Sequence, residues 1–348
     1  MAQQFRVIDA DGHCVEREDQ IAEFIQYRGR PLRGVEQGVG AMPLFPSLDG
    51  WFRPAGDALA AGNAAAWLSF LDETGIETTV LYPTAGLAYG LIQDCEWAVA
   101  LGRAYNDWLH RYYLQADPRF RGMALVPVQD VPAAVVELRR AVTELGLSGA
   151  VLPSANVLHK GYGHADFDPL YAEAERLDVP LAIHGAPSKG WGFDYFDKFI
   201  QTHAMEHPIP LMIQMTSMLF DGVFERFPRL RVAFLEAGCA WIPFMMDRLD
   251  EEFERRGARW CPGLTRTPSE VLSGGQVYVS CEVEERSLPY VVERMGADHI
   301  FFPSDYPHER QRDQFLGDIP EFVERPDLGD DVKRKILTEN AIRFYRLR

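Results

Sequence analysis

The sequence has no apolar run long enough to cross a membrane. Even the stretch 209–220 is broken by Gln214, Thr216 and Ser217, and falls short of the ~18 residues a span needs. It has no excess of positive charge either. Thirty-five basic against 51 acidic side chains leave a formal charge of −16, spread along the chain rather than gathered in a tail, which argues against a nucleic-acid or anionic-membrane partner. Cysteine is scarce: Cys14, Cys95, Cys239, Cys261 and Cys281 are odd in number and form no Cys-x-x-Cys, so free thiols and a reducing compartment fit best. The opening residues Met1 to Asp9 carry neither the basic segment nor the apolar stretch of a signal peptide, and the expectation is a cytoplasmic protein. No internal sequence repeat or low-complexity tract stands out.

What is present is one unit repeated. A short apolar, β-branched run is followed by a polar turn and then an amphipathic helical stretch. Strands are predicted at 5–9, 78–82, 122–128, 149–152, 180–184, 231–235, 277–281 and 300–303. Helical patterns lie between them at 95–114, at 131–145 and from Asp168, where a capping carboxylate precedes Pro169 at the first helical position. Continuous apolar strands alternating with helices imply a parallel sheet covered on its outer face, and eight such units can close into a (β/α)8 TIM barrel. The open doubly wound alternative would carry Gly-x-Gly-x-x-Gly after its first strand; Asp9-Ala10-Asp11-Gly12-His13 stands there instead. The 348 residues, 47% of them hydrophobic, thus read as a single domain: one barrel, an insertion after strand one and a C-terminal helix. That insertion, 28–62, is rich in Gly and Pro and carries Phe45, Trp51 and Phe52. It reads equally as a lid supplying aromatic walls or as a solvated surface for a homodimer. A shorter excursion is expected at 255–273.

Catalytic groups of a closed parallel barrel sit where the strands end. Strand one leads into Asp11-Gly12-His13, strand five into His184, strand six into Glu236 and strand eight into Ser304-Asp305-Tyr306-Pro307-His308. Each ionisable group is Asp, Glu or His, the oxygen and imidazole ligands that borderline divalent metals prefer. On extended backbone the side chains of Asp11 and His13 point to the same side and can grip one ion together. His203 and His207, four residues apart, share a helical face. Glu16 and His308 lie near the mouth, as candidates for hydrogen bonds to a metal's water or as turn stabilisers. Lys189 and Arg310 are loop cations suited to a substrate carboxylate, and Trp191 offers an apolar wall beside Phe45 and Trp51.

Taken together, the opening Val7-Ile8-Asp9-Ala10-Asp11-Gly12-His13, the Pro180-Leu181-Ala182-Ile183-His184-Gly185 strand, Phe227-Pro228-Arg229-Leu230, the Ser304-to-His308 turn and the closing Ile336-to-Tyr345 segment resemble the amidohydrolase-related TIM-barrel enzymes. That family includes aromatic-acid and aminocarboxymuconate-semialdehyde decarboxylases, hydratases and hydrolases. The resemblance implies that Asp11, His13, His184 and Asp305 are metal ligands. It departs at one place: where decarboxylases of the family usually carry a histidine after strand six, this chain has Leu235-Glu236-Ala237-Gly238, similar to a subset of dinuclear iron hydroxylases.

The expected function is therefore metal-dependent chemistry on an organic carboxylic acid. The main reading is hydrolysis or non-oxidative decarboxylation, with one or two ions of Zn, Mn or Fe acting as Lewis acid or activating water. Asp11, His13, His184 and Asp305 hold the metal, Glu236 and His203 complete a second position, and Asp305, His308 or Glu236 moves protons. The alternative is a dinuclear non-haem iron oxygenase, with a catalytically silent scaffold as the remaining possibility.

Overall fold

The computed structural model describes residues 5–31, 43–46, 62–185, 191–308 and 312–347. Eight strands form one sheet: β1 Ile8–Cys14, β2 Thr78–Pro83, β3 Phe120–Leu125, β4 Gly149–Pro153, β5 Leu181–His184, β6 Val232–Leu235, β7 Val277–Ser280 and β8 Ile300–Phe301. They are ordered as in the sequence, and all neighbouring pairs are parallel. Closure between first and last is made by backbone hydrogen bonds from Ala10 N to Phe302 O (3.1 Å), from His13 N to Tyr306 O (2.8 Å) and from Asp305 N to Asp11 O (2.9 Å). The eight-stranded barrel expected from periodicity is therefore the fold. A small hairpin pairs Gln26–Tyr27 with Arg30–Pro31. No described helix is long and apolar enough to cross a membrane.

The strands form where apolar, β-branched runs can be buried on both faces. β4 to β7 are buried at every position, as a sheet covered by helices requires. The helices that precede β3 and β4 start on side-chain caps. Asp94 accepts from Trp97 N ahead of Cys95–Leu109, and Asp130 from Ala133 N ahead of Val131–Thr143, each occupying a donor the first turn leaves unpaired. The Cys95 helix runs on as a π-turn, His110–Leu114. Asp168 behaves otherwise than expected: it is the first helical residue, and its carboxylate pairs with Arg226 at 2.8 Å instead of capping. The 255–273 excursion is also mostly regular, being the end of helix Trp241–Trp260 and the short helix Pro268–Leu272.

The largest departure lies in β1, expected at 5–9. It runs to Cys14, so Asp11, Gly12 and His13 lie within the strand. A register irregularity between Asp9 and Gly12 accompanies this. Polar residues read as a loop in sequence, but here Asp9 is tied down across the barrel. Its carboxylate accepts from Thr79 Oγ1 (2.6 Å), Ser304 Oγ (2.8 Å), Ser304 N (2.8 Å) and Asp11 N (3.2 Å). Gly12 makes the close approach possible: a Cβ there would stand 2.5 Å from both the Trp67 ring and Thr79 Oγ1. From the C-terminal segment, Tyr345 Oη donates to Ala10 O at 2.8 Å, anchoring Asn340–Tyr345 against the same strand.

Candidate active site at the barrel mouth

β1 presents Asp11 and His13 side by side, with His13 Nε2 3.6 Å from Asp11 Oδ1. β5 ends on His184, whose Nε2 lies 3.2 Å from Asp11 Oδ1 and whose Nδ1 lies 3.1 Å from Glu236 Oε2. Beyond β8, Asp305 Oδ1 is 3.6 Å from His13 Nε2 and 3.0 Å from His308 Nδ1. His308 stacks on His13 with centroids 3.8 Å apart, lies 3.6 Å from Glu236 Oε1, and hydrogen-bonds through Nε2 to Thr84 Oγ1 at 2.9 Å. Four strands thus bring three carboxylates and three imidazoles to one point.

Both carboxylates that follow β6 and β8 are held in left-handed backbone, Glu236 at φ 64° and Asp305 at φ 54°. Each costs a non-glycine residue roughly 1 kcal/mol or more, strain that folds retain at functional sites. Glu236 N–H donates to Ser280 Oγ at 3.0 Å, which fixes the turn.

The electrostatics divide the histidines. His13 Nδ1 lies 2.9 Å from Pro83 O, so it carries the proton and leaves the Nε2 lone pair directed at the carboxylates. That Nε2 is buried and has no hydrogen-bond partner among the described residues. Burial, reinforced by His308 and His184, holds the His13 pKa well below the ordinary value, keeping the ring neutral. At His184 burial disfavours the imidazolium, but Asp11 and Glu236 overcome it and raise the pKa to about 9. His308 is likewise pushed up against burial, by Asp305 and Glu236. Burial lifts Asp11 to about 6, with His184 opposing. Burial also disfavours the Glu236 carboxylate, yet His207, His184 and His308 hold it well below the usual range.

A buried neutral imidazole with an idle lone pair, facing carboxylates at ligand spacing, fits a divalent cation. Two overlapping groups have donor atoms near enough to share an ion: Asp11, His13 and His184, and His13, Glu236, Asp305 and His308. The expected set Asp11, His13, His184, Asp305 is thus brought together, with Glu236 and His308 beside it. His203 sits apart, with Nδ1 3.1 Å from Glu206. It is His207, one turn on, that approaches Glu236, at 3.8 Å from Nε2 to Oε2.

The remaining expectations fare differently. Glu16 stabilises a turn: its carboxylate accepts from the backbone N–H groups of Thr84, Ala85 and Gly86 at 2.8 to 3.2 Å. Phe45 is buried in the core, next to Leu44, whose N–H donates to Glu18 and whose carbonyl accepts from the Trp97 indole. Trp191 is half-buried. Lys189, Trp51 and Arg310 lie outside the described residues, as does most of the 28–62 insertion. Sequence reasoning passed over Thr84, which anchors His308, and Asp9. A hydroxyl just past a strand end is a signal for the former; no local pattern marks the latter.

Residues 8–347 match the Amidohydrolase family. The chain belongs to that family. The Dictyostelium discoideum 2-amino-3-carboxymuconate-6-semialdehyde decarboxylase is 28% identical over 281 residues, covering 80% of this chain and 75% of that protein. The gamma-resorcylate decarboxylase of Rhodococcus jostii is 29% identical over 307 residues, covering 80% and 86%. Among solved structures, the 5-carboxyvanillate decarboxylase of Novosphingobium aromaticivorans, complexed with manganese and 4-hydroxy-3-methoxy-5-nitrobenzoic acid, superposes with a TM-score of 0.77 at 20% identity over 99% of this amidohydrolase and 97% of that chain. That likeness supports the barrel fold.

Proposed function

We propose that this amidohydrolase is a metal-dependent carboxy-lyase that removes carbon dioxide from an aromatic carboxylic acid. The observation that carries the reading is the convergence of Asp11, His13, His184 and Asp305 around the buried, unpartnered His13 Nε2, supported by curated relatives named as decarboxylases. Those four residues would hold a divalent cation, manganese being the ion in the solved relative, which would supply positive charge against the substrate carboxylate.

The chain's own groups handle the proton. His308 holds one on Nδ1 against Asp305, is braced by Thr84, and has its pKa raised by the neighbouring carboxylates. It delivers that proton to the ring carbon that keeps the electron pair when the carbon–carboxyl bond breaks and carbon dioxide leaves. Asp305 keeps the imidazole in register and accepts the charge change. In this reading Lys189 and Arg310 orient a second anionic group of the substrate, and Trp191 and Trp51 supply apolar walls.

A dinuclear centre is the second reading. It is favoured by Glu236, which stands between His184 and His207 where one-metal decarboxylation needs only an acid or base. The relatives' names set decarboxylation ahead of the oxygenase alternative. Supplying manganese to the metal-free chain and assaying hydroxylated benzoates tests this directly. Carbon dioxide release without oxygen uptake is expected; oxygen uptake matched to product would overturn the reading.

A further inference from the structure

Following β5, the chain carries His203-Ala204-Met205-Glu206-His207, at the end of helix Phe199–Glu206. Side chains three and four residues apart share a helical face. The donor atoms of His203, Glu206 and His207 all lie within 4.8 Å of one another. Glu206 is only 1% exposed, with Oε1 3.1 Å from His203 Nδ1.

The two imidazoles are held in place. His203 stacks on Phe199 at 5.0 Å, and His207 stands perpendicular to it at 5.2 Å. His207 packs so tightly on Gly185 that a Cβ there would come 2.5 Å from its Cδ2. The absence of a side chain next to His184 is what lets His207 reach the strand end. A cavity of about 470 Å³ opens beside the turn; among the described residues it is lined also by Glu236, Glu282, Glu284 and Glu285 and by no Lys or Arg. A concave surface lined by one sign of charge concentrates counter-ions. On the same helix, the buried Thr202 Oγ1 has no hydrogen-bond partner among the described residues.

We propose that the His203-Glu206-His207 turn is a distinct divalent-cation site, filled from the acidic cavity, sharing no ligand with the Asp11-His13-His184 group. Two imidazoles and one carboxylate suit a borderline ion such as Zn²⁺ or Co²⁺. Glu236 stands between the two sites, near His184 on one side and His207 on the other. The assignment does not depend on which reaction the mouth performs.

Chelator-stripped full-length protein titrated with Co²⁺, with bound metal counted after gel filtration, gives the test. Wild type is expected to bind two equivalents. His203→Gln and Glu206→Gln, made separately, should each retain one, whereas an Asp11→Asn/His184→Asn double variant should lose the other and keep the turn's. Failure of the double variant alone to lose metal would count against the mouth site and leave this one standing. One equivalent in wild type, or unchanged stoichiometry in both turn variants, overturns the proposal. Because a turn variant could fold poorly, histidine modification of the wild-type chain by diethylpyrocarbonate, mapped by mass spectrometry, gives a variant-free arm. Zn²⁺ should protect both His203 and His207, and equal labelling with and without Zn²⁺ would overturn the site.

Discussion

Asp9 and Asp11 stand two residues apart on β1, both buried, and their surroundings are opposite in kind. Asp9 is surrounded by donors: two hydroxyls and two backbone N–H groups take up its oxygens. Asp11 faces two imidazoles, with Glu236 and Asp305 nearby raising its pKa further. A satisfied buried carboxylate is architecture, because its partners repay its desolvation and tie three parts of the barrel together. A carboxylate among other acids and an idle imidazole is a site that waits for positive charge. Burial alone does not distinguish the two; what each carboxylate meets does.

The sharpest way to break that contrast is to neutralise each acid in turn. Asp11→Asn should abolish tight metal binding and lower turnover by at least about 100-fold, since even groups that merely support ligands cost 10- to 100-fold, while leaving thermal stability of the metal-free chain unchanged or higher. Metal analysis beside a melting curve reads both. Asp9→Ala should do the reverse, costing about 3 kcal/mol by stranding Ser304 N–H and the Thr79 and Ser304 hydroxyls, with metal stoichiometry kept in whatever fraction remains folded. Loss of metal with unchanged stability at Asp9 would collapse the distinction.

Smaller effects sharpen it. Gly12→Ala, whose methyl meets Trp67 and Thr79, should destabilise by about 1–3 kcal/mol in chemical denaturation. At the mouth, His184 must be neutral to ligate, yet its pKa is raised to about 9 in the metal-free chain. Metal uptake at pH 7 should therefore release close to one proton from this ring, with affinity rising as pH climbs toward 9; titration calorimetry in buffers of different ionisation enthalpy measures it.

The smallest effect lies far from the mouth. Glu173 is held at about 2 by hydrogen bonds from Arg176 and then Arg139. Its folded pKa is depressed, so its contribution is full above the ordinary carboxyl range and fades as pH falls toward 2. Glu173→Gln should cost about 1 kcal/mol near pH 7, with the gap to wild type closing in acid.

Much of this was legible in the sequence. Eight apolar runs became eight strands, and Asp11, His13, His184, Glu236 and Asp305 met where strand ends predicted. The errors came where local pattern and distant partner disagree. β1 continues through polar residues because the last strand's end hydrogen-bonds to it. Glu16 serves a turn because Thr84 to Gly86 fold over it. Glu206 escaped notice because a lone acid in a helix carries no local mark of burial.

By itself the sequence determined the alternation of strand and helix, and the kinds of side chain carried at each strand end, since periodicity and composition are local properties. Only the tertiary structure decided which acid is spent on architecture and which is left for chemistry. The groups that satisfy Asp9 come from Thr79 and Ser304, 70 and 295 residues away in the chain, and the imidazole that Asp11 meets comes from His184, 173 residues away. Separations of that size are closed by barrel formation alone.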